Sequence, residues 1–332
     1  MATLGPTFDC KPREAIPIAV SDGMPMIRLQ MNRRDWAILG GLALIWGGAF
    51  FFIGVAVRHV PPLTYVLARL ALAAASMVAF LWWRGEPLGL PRRAWGAIIL
   101  LALINTALPF TLFGWAQTHI ASGLASILNA TTPIWGVIVA HLFTVDEKIT
   151  ARKLAGVLVG FAGVALMIGP GLFASFGGGA LAQLACLVAA LSYALAGVWA
   201  RRFKAMGVSP MSVTTGQLIV GALMMVPVAL IGDKPWTLAW PPVEAVAAIV
   251  ALAVVCTAFG YVLYFKLIDS SGATNALLVT LLVPPTAMLL GVAFLGEVIA
   301  PVDIGGLALI GLGLAAIDGR LLSWRPRRRP LR

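Results

Sequence analysis

Residues 147–169, EKITARKLAGVLVGFAGVALMIG, return at residues 297–319 as EVIAPVDIGGLALIGLGLAAIDG. At the same spacing, Glu147, Gly156, Gly163, Ala165 and Gly169 correspond to Glu297, Gly306, Gly313, Ala315 and Gly319. The likeness begins at residues 101 and 252, with shifts of 149 to 151 that loop insertions explain. Such repeats in an apolar chain predict a duplicated membrane unit, whose copies commonly meet at a substrate site. The alternative is that the two segments look alike by chance, because Gly, Ala and Leu dominate both. The matched glutamates argue against this alternative.

The composition is that of a protein dissolved in lipid. Of the 332 residues, 60% are hydrophobic and 11% are charged, whereas about a quarter are charged in soluble domains. The mean hydropathy is +0.95. The net charge of +11 comes from short basic clusters between apolar runs, without the basic stripe or aromatic platform of a nucleic-acid-binding surface. We therefore expect a membrane protein that has lipid, and no nucleic acid, as a partner.

Ten apolar segments have roughly the 20 residues that a helix needs to cross a bilayer. They are residues 36–57, 63–83, 94–115, 120–143, 152–170, 180–200, 210–231, 243–265, 272–295 and 302–319. If the N-terminus is cytoplasmic, 21 of the 24 Lys and Arg residues fall on the cytoplasmic side, as the positive-inside rule requires. The sequence therefore predicts ten spans with both termini cytoplasmic.

Five spans in each repeat is an odd number, so the second copy enters the membrane from the opposite side. The predicted fold is an all-α integral membrane protein in which ten transmembrane helices form two inverted five-helix repeats around a central cavity. Residues 35–170 and 171–322 are the two repeats. We expect residues 1–34 to be a disordered cytoplasmic tail, shorter if Met24, Met26 or Met31 is the true start, and residues 323–332 to be a basic cytoplasmic tail beside anionic lipid.

Matching polar and aromatic stripes indicate where a solute would bind. In span three, Thr106, Phe110 and Phe113 lie at positions i, i+4 and i+7 on one helix face. In span eight, their counterparts are Thr257, Tyr261 and Tyr264, and Asn105 neighbours the first stripe. Apolar walls with a few polar groups are typical of a cavity for a small amphipathic solute. Ordinary helix packing is the alternative.

Other spans contain further candidates for the cavity wall. Trp46, beside Gly47-Gly48 in span one, and Tyr193 in span six lie near mid-depth, away from the interfaces where membrane proteins concentrate Trp and Tyr. Asn129 precedes Pro133 in span four, and Pro284-Pro285 lie in span nine, so these two spans are predicted to be kinked beside the path. Each residue could instead serve helix packing.

Arg69 is the charged residue that lies well inside a predicted span, in span two. An intramembrane ionisable residue suggests a functional role, here contact with an anionic group of a substrate. The alternative is structural, with the head snorkelling to the interface or capping carbonyls of a neighbouring helix. Gln217 is its counterpart in the second repeat.

Small residues and glutamates suggest structural contacts. Gly156 and Gly160, with Gly306 and Gly313, predict close packing of spans five and ten, within the chain or between the subunits of a homodimer. Glu147 and Glu297 each follow the fourth span of a repeat, which favours helix-end capping.

The sequence has no GxxxxGK[ST] loop, no HExxH motif and no nucleophile–base pair. We therefore expect no cofactor, no metal site and no enzymatic activity. No Asp or Glu lies mid-span, so transport would be facilitative or exchange-type, unless it is coupled by other means.

The chain resembles the EamA-type transporters of the drug/metabolite transporter superfamily, found in bacterial inner membranes. The resemblance covers residues 36–320 and rests on Trp46-Gly47-Gly48, Arg69, Asn129-Ala130-Thr131-Thr132-Pro133, Glu147, Gly156, Gly163, Pro284-Pro285, Glu297, Gly306 and Gly313. It implies alternating access through a cavity lined by the first four helices of each repeat.

From the stripes and the resemblance together we expect a secondary transporter of a small metabolite, amino-acid-like or amphipathic, working in efflux across the inner membrane. The alternatives are an uptake carrier for a vitamin or nucleobase-like metabolite and, less favoured, a passive channel or an intramembrane enzyme.

Overall fold

The computed structural model describes residues 31–144, 149–174, 178–276 and 278–318, and every regular element in those ranges is helical. We number ten helices, of which α3, α4 and α8 consist of shorter helical segments. They are α1 Arg33–Ala56, α2 Pro62–Trp83, α3 Arg92–Ala116, α4 Ser122–Phe143, α5 Ala151–Ala174, α6 Gly178–Ala205, α7 Pro210–Gly232, α8 Val243–Ser271, α9 Val279–Leu295 and α10 Pro301–Asp318.

Seven of these helices, α1 to α4 and α6 to α8, have the length and hydropathy of a membrane span. In the part of the chain that the structure describes, α9 and α10 are shorter apolar helices. The predicted all-α membrane class is therefore confirmed. Ten crossings and an inverted arrangement stay predictions.

Four helices begin where the sequence offers a cap or a proline. Pro62, Pro210 and Pro301 each occupy the first position of a helix, where the missing N–H costs nothing. At the start of α1, the side chains of Asn32 and Asp35 each accept a hydrogen bond from the other's backbone N–H, forming a capping box. Because α1 begins at Arg33, it includes the last two residues of the predicted N-terminal tail. Residues 1–30 and 319–332 lie outside the described residues.

The two predicted kinks have different outcomes. In α4 the helix ends at Asn129 and restarts at Thr132, directly before Pro133. In α9 the helix continues through Pro284 and Pro285, so a kink at this pair stays a prediction. Membrane helices tolerate an internal proline when other groups satisfy the freed carbonyls. Directly before α9, Leu278 lies in a turn.

Both α3 and α8 contain a π-helical segment at corresponding positions of the two halves, Leu103–Ala107 and Ala251–Phe259. A π segment widens the turn and rotates the side chains that follow it, and such segments are frequent at functional sites. A uniform helical period does not predict them.

Glycines bring α5 and α10 into backbone contact. A Cβ on Gly156 would lie 2.6 Å from the Gly313 carbonyl oxygen, and one on Gly163 would lie 2.7 Å from that of Gly306. Only residues without a side chain permit this approach. The small-residue faces of α5 and α10 therefore pack against each other within one chain. Because each face is covered by the other helix, neither is open to a second subunit in the way suggested for a homodimer.

The other main contacts also join the two halves. α1 packs on α9 and α8, and α6 packs on α4 and α3. α2 lies against α7 and α8, while α7 lies against α2 and α3. These contacts are symmetric between the halves. When each helix is exchanged for the helix five places later or earlier in the chain, the contacts of α1 become those of α6, and the contacts of α2 become those of α7. Helices α1, α2, α3, α6, α7 and α8 therefore meet near the centre of the bundle.

Candidate substrate site

Arg69 lies at this centre, on α2. Its side chain is 6% exposed, and its Nε donates a hydrogen bond to Thr257 Oγ1 at 3.2 Å. The guanidinium carbon sits 3.7 Å from the centroid of the Phe110 ring, which is a cation–π contact. Tyr65 lies beside the guanidinium, and its hydroxyl donates to the Phe110 carbonyl oxygen at 2.9 Å. Arg69 thus connects α2, α3 and α8.

Among the described residues, no carboxylate forms an ion pair with the guanidinium. Arg84 pairs with Glu86, and His59 lies 3.9 Å from Glu244, but neither pair includes Arg69. The head is buried, and its Nε donates to a threonine hydroxyl on α8. Contact with a substrate anion and a structural role of Arg69 both stay predictions. The structure therefore places an uncompensated positive charge inside the bundle.

Next to this charge is a pair of amides from opposite halves of the chain. Asn105 Nδ2 donates to Gln217 Oε1 at 3.0 Å. The Tyr261 hydroxyl lies next to both amides and close enough to Arg69 to interact electrostatically. Three helices, α3, α7 and α8, therefore present polar groups at one place.

Aromatic rings from both halves extend the polar groups into a larger surface. Trp46 packs on Tyr264 with their ring centroids 5.2 Å apart, and its Nε1 donates to the Cys256 carbonyl oxygen at 3.2 Å. Phe113 stacks on Tyr193 at 6.1 Å, and Tyr193 lies within electrostatic range of Arg69 and Tyr261. Tyr264 lies within the same range of Tyr261.

Nine of the eleven predicted residues are linked by these hydrogen bonds, ring contacts and electrostatic interactions, and we call them the central cluster. Its members are Trp46, Arg69, Asn105, Phe110, Tyr193, Gln217, Thr257, Tyr261 and Tyr264.

The remaining two predicted residues lie elsewhere. Thr106 is fully buried, and its hydroxyl donates to the Ala102 carbonyl. The same hydroxyl lies 2.7 Å from where a Cβ on Gly221 would be. Thr106 lies within the π segment of α3, as its counterpart Thr257 lies within that of α8. Asn129 ends the first segment of α4, and its carbonyl accepts from the Thr132 hydroxyl.

Tyr65 belongs beside the central cluster and was missed. Its ring is fully buried and fits against Gly114, where a Cβ would lie 2.9 Å from the hydroxyl oxygen. Tyr65 precedes Arg69 by four residues, so the helical period puts both on one face. That spacing was the available signal.

Glu297 caps a helix of the other half, away from the central cluster. Its carboxylate accepts from the Ser122 N–H at 2.7 Å, the Ser122 hydroxyl at 2.9 Å and the Gly123 N–H at 3.2 Å. Predicted helix-end capping is thus confirmed for Glu297, whereas Glu147 lies outside the described residues. Asp233, at the end of α7, similarly accepts from the N–H and hydroxyl of Thr64 in α2.

Comparison with known proteins gives the same family for both halves. The profile of the EamA-like transporter family matches residues 36–169 and again residues 180–317. A crystal structure of another protein superposes with a TM-score of 0.63 at 20% identity, covering 89% of this chain and 100% of that one. At this identity the superposition shows a shared fold.

Several relatives have similar sequences along most of their length. An "uncharacterized transporter YoaV" of Bacillus subtilis is 25% identical over 82% of this chain and 92% of its own. A "probable terminal-alkyne amino-acid exporter" of Streptantibioticus cattleyicolor is 26% identical over 90% of this chain and 97% of its own. The inner membrane transporter YedA of Escherichia coli is 26% identical over 82% and 86%. Since the family profile accounts for most of the chain in two consecutive matches, the protein belongs to the EamA-like transporter family of membrane transporters.

Proposed function

We propose that this protein is a secondary transporter that moves a small amphipathic metabolite across the cell inner membrane by alternating access. The observation that supports it best is the central cluster, in which side chains from both halves meet between α1, α2, α3, α6, α7 and α8. A carrier needs its site at the boundary between two bodies that can rock against each other. Thr106 and Asn129 serve helix packing in this proposal.

The proposed architecture is ten crossings in two inverted five-helix repeats, with both termini cytoplasmic. Three observations support it: the double match of one family profile, contacts that interconvert when each helix is exchanged for the one five places on, and π segments at corresponding positions of α3 and α8. The cytoplasmic bias of Lys and Arg supports the orientation.

An amino-acid-like substrate and the direction of efflux form the finer part of the proposal. The ring faces of Trp46, Tyr193 and Tyr264 favour a substrate with a flat or apolar part. The Streptantibioticus relative is named an amino-acid exporter, which supports both substrate class and direction. Uptake of a vitamin or nucleobase-like metabolite is the second candidate, because such a ring could stack on the same aromatic surface.

The decisive experiment is flux into vesicles reconstituted with purified protein. We expect saturable uptake of a bound amino acid, stimulated when the same amino acid is loaded inside, because exchange is the signature of a carrier. Tyr261→Ala and Tyr264→Ala should each lower this flux without lowering membrane yield. Flux that grows linearly with concentration would indicate a channel, and chemical change of the probe would indicate an enzyme. Unchanged flux in both variants would show that the central cluster does not contact the transported molecule.

A further inference from the structure

We propose that Arg69 is the docking point for a carboxylate of the transported molecule, so that this carrier selects substrates with one negatively charged group at the bound end. This inference rests on the proposed transport function and names the substrate class of the same site.

Arg69 places a positive charge inside the bundle without a carboxylate partner among the described residues. A guanidinium stays protonated in proteins, and a charge within a membrane bundle is costly unless a partner compensates it. The oxygens beside this one are the hydroxyls of Thr257 and Tyr65, both neutral. No ion pair within the described ranges includes Arg69. The missing negative charge is therefore expected to arrive with the substrate.

Neighbouring side chains hold the guanidinium of Arg69 in one orientation. Phe110 covers one face of the group, and Thr257 holds the Nε. The orientation of the planar fork is therefore fixed before any substrate binds. An arginine fork presents parallel N–H groups that fit the two oxygens of a carboxylate. A fixed fork loses little entropy when it binds, which favours specificity for a planar anion.

The single positive charge of Arg69 favours a substrate group that has a single negative charge. One guanidinium neutralises one negative charge, so a carboxylate leaves the site neutral, whereas a doubly charged phosphate would leave an excess charge in a bundle surrounded by lipid. An amine would add a second positive charge next to the first. We therefore expect carboxylates to be preferred over both, with the rest of the molecule lying along Trp46, Tyr193 and Tyr264.

A structural role of Arg69 must be separated from a binding role, because Arg69 also connects α2 to the π segment of α8. Thr257→Val removes the Nε acceptor and leaves the charge in place. Arg69→Met removes the charge and keeps an apolar chain of similar length, while Arg69→Lys keeps the charge and removes the fork. Loss of the α2–α8 connection affects the Met and Val variants alike, whereas loss of the charge affects only the Met variant.

The test uses purified full-length protein in nanodiscs and matched probes: L-phenylalanine, 3-phenylpropanoate, L-phenylalaninamide and 2-phenylethylamine, with the leucine equivalents. Binding is measured by calorimetry, and folding by thermal unfolding. We expect the carboxylates to bind the wild type about thirtyfold or more tightly than the matched amines, as for a buried charge pair. Arg69→Met should abolish this preference, Thr257→Val should keep it, and Arg69→Lys should keep part of it.

Three outcomes would overturn the inference. They are a wild type that prefers the amines or amides, a wild type that binds no carboxylate at millimolar concentration, and a folded Arg69→Met variant that keeps the carboxylate preference. The transport proposal fails separately. Saturable flux of the amines that Arg69→Met does not change would contradict the anion site and still support a carrier. Absence of saturable flux for every probe would contradict the carrier function itself.

Discussion

The Glu297 carboxylate accepts hydrogen bonds from both the N–H and the hydroxyl of Ser122, at 2.7 and 2.9 Å, although the two residues lie in opposite halves of the chain. The close approach of Gly291 makes this contact possible, because a Cβ there would lie 3.0 Å from the Ser122 hydroxyl oxygen. The loop between α9 and α10 thus holds the first turn of α4.

Replacing Glu297 with Gln should therefore destabilise the protein. The amide offers one oxygen in place of two and directs N–H groups at backbone donors, which should cost about 1 to 3 kcal/mol. We expect a lower temperature of thermal unfolding in detergent. Glu86→Gln is the matched control, since its pair with Arg84 is exposed and such pairs contribute about 1 kcal/mol or less. Equal unfolding temperatures for the two variants would contradict a capping role for Glu297.

Gly260→Ala should disturb the aromatic part of the central cluster. The new Cβ would lie 2.7 Å from Trp46 Nε1, so the indole must move away from the Cys256 carbonyl that it now contacts. We expect weaker substrate binding and slower flux at unchanged membrane yield. Gly197→Ala, in α6, is the control because nothing lies within 4 Å of its added Cβ. If Gly260→Ala and Gly197→Ala transport alike, the position of Trp46 does not matter for flux.

Gly163→Ala should lower stability while leaving the site intact. Its Cβ would lie 2.7 Å from the Gly306 carbonyl oxygen, so the backbones of α5 and α10 must separate, at a cost of about 1 to 3 kcal/mol. Thermal unfolding should reveal this loss, whereas substrate affinity of the folded fraction should not change. Gly136→Ala, at an open position of α4, should unfold like the wild type. A change of affinity in Gly163→Ala would mean that this helix pair belongs to the site.

Gln217→Glu should reverse the charge preference of the cluster. The change keeps the size of the side chain and adds a carboxylate next to Asn105 and Tyr261, in the electrostatic surroundings of Arg69. The added charge would supply the counter-ion that Arg69 lacks, so carboxylate probes should bind about tenfold or more weakly and matched amines more tightly. Calorimetry with the paired probes measures both. Unchanged affinities for both classes would place Gln217 outside the reach of the bound charge.

The helices and most of the central cluster could be predicted because both follow from local patterns. Apolar runs punctuated by proline predicted most helix ends to within five residues, whereas α8 ends six residues later and α9 begins seven residues later than predicted. The resemblance between the halves matched Thr257 and Tyr261 with Thr106 and Phe110, and Thr257, Tyr261 and Phe110 all lie in the central cluster.

The exceptions have physical causes. The π segments that contain Thr106 and Thr257 have no sequence signature, so a regular helical period does not predict the directions of these two side chains. α9 continues through Pro284 and Pro285, since the groups around a membrane helix decide whether it tolerates proline. Trp46 contacts Cys256, a residue 210 positions away, and pairings at such distances depend on how the helices assemble.

The glycine contacts between α5 and α10 have a consequence for a chain divided between its two halves. Each half ends in a helix whose glycine-lined face is complete only when the other half covers it. A gene divided between these halves would therefore yield two fragments whose glycine-lined faces on α5 and α10 fit each other.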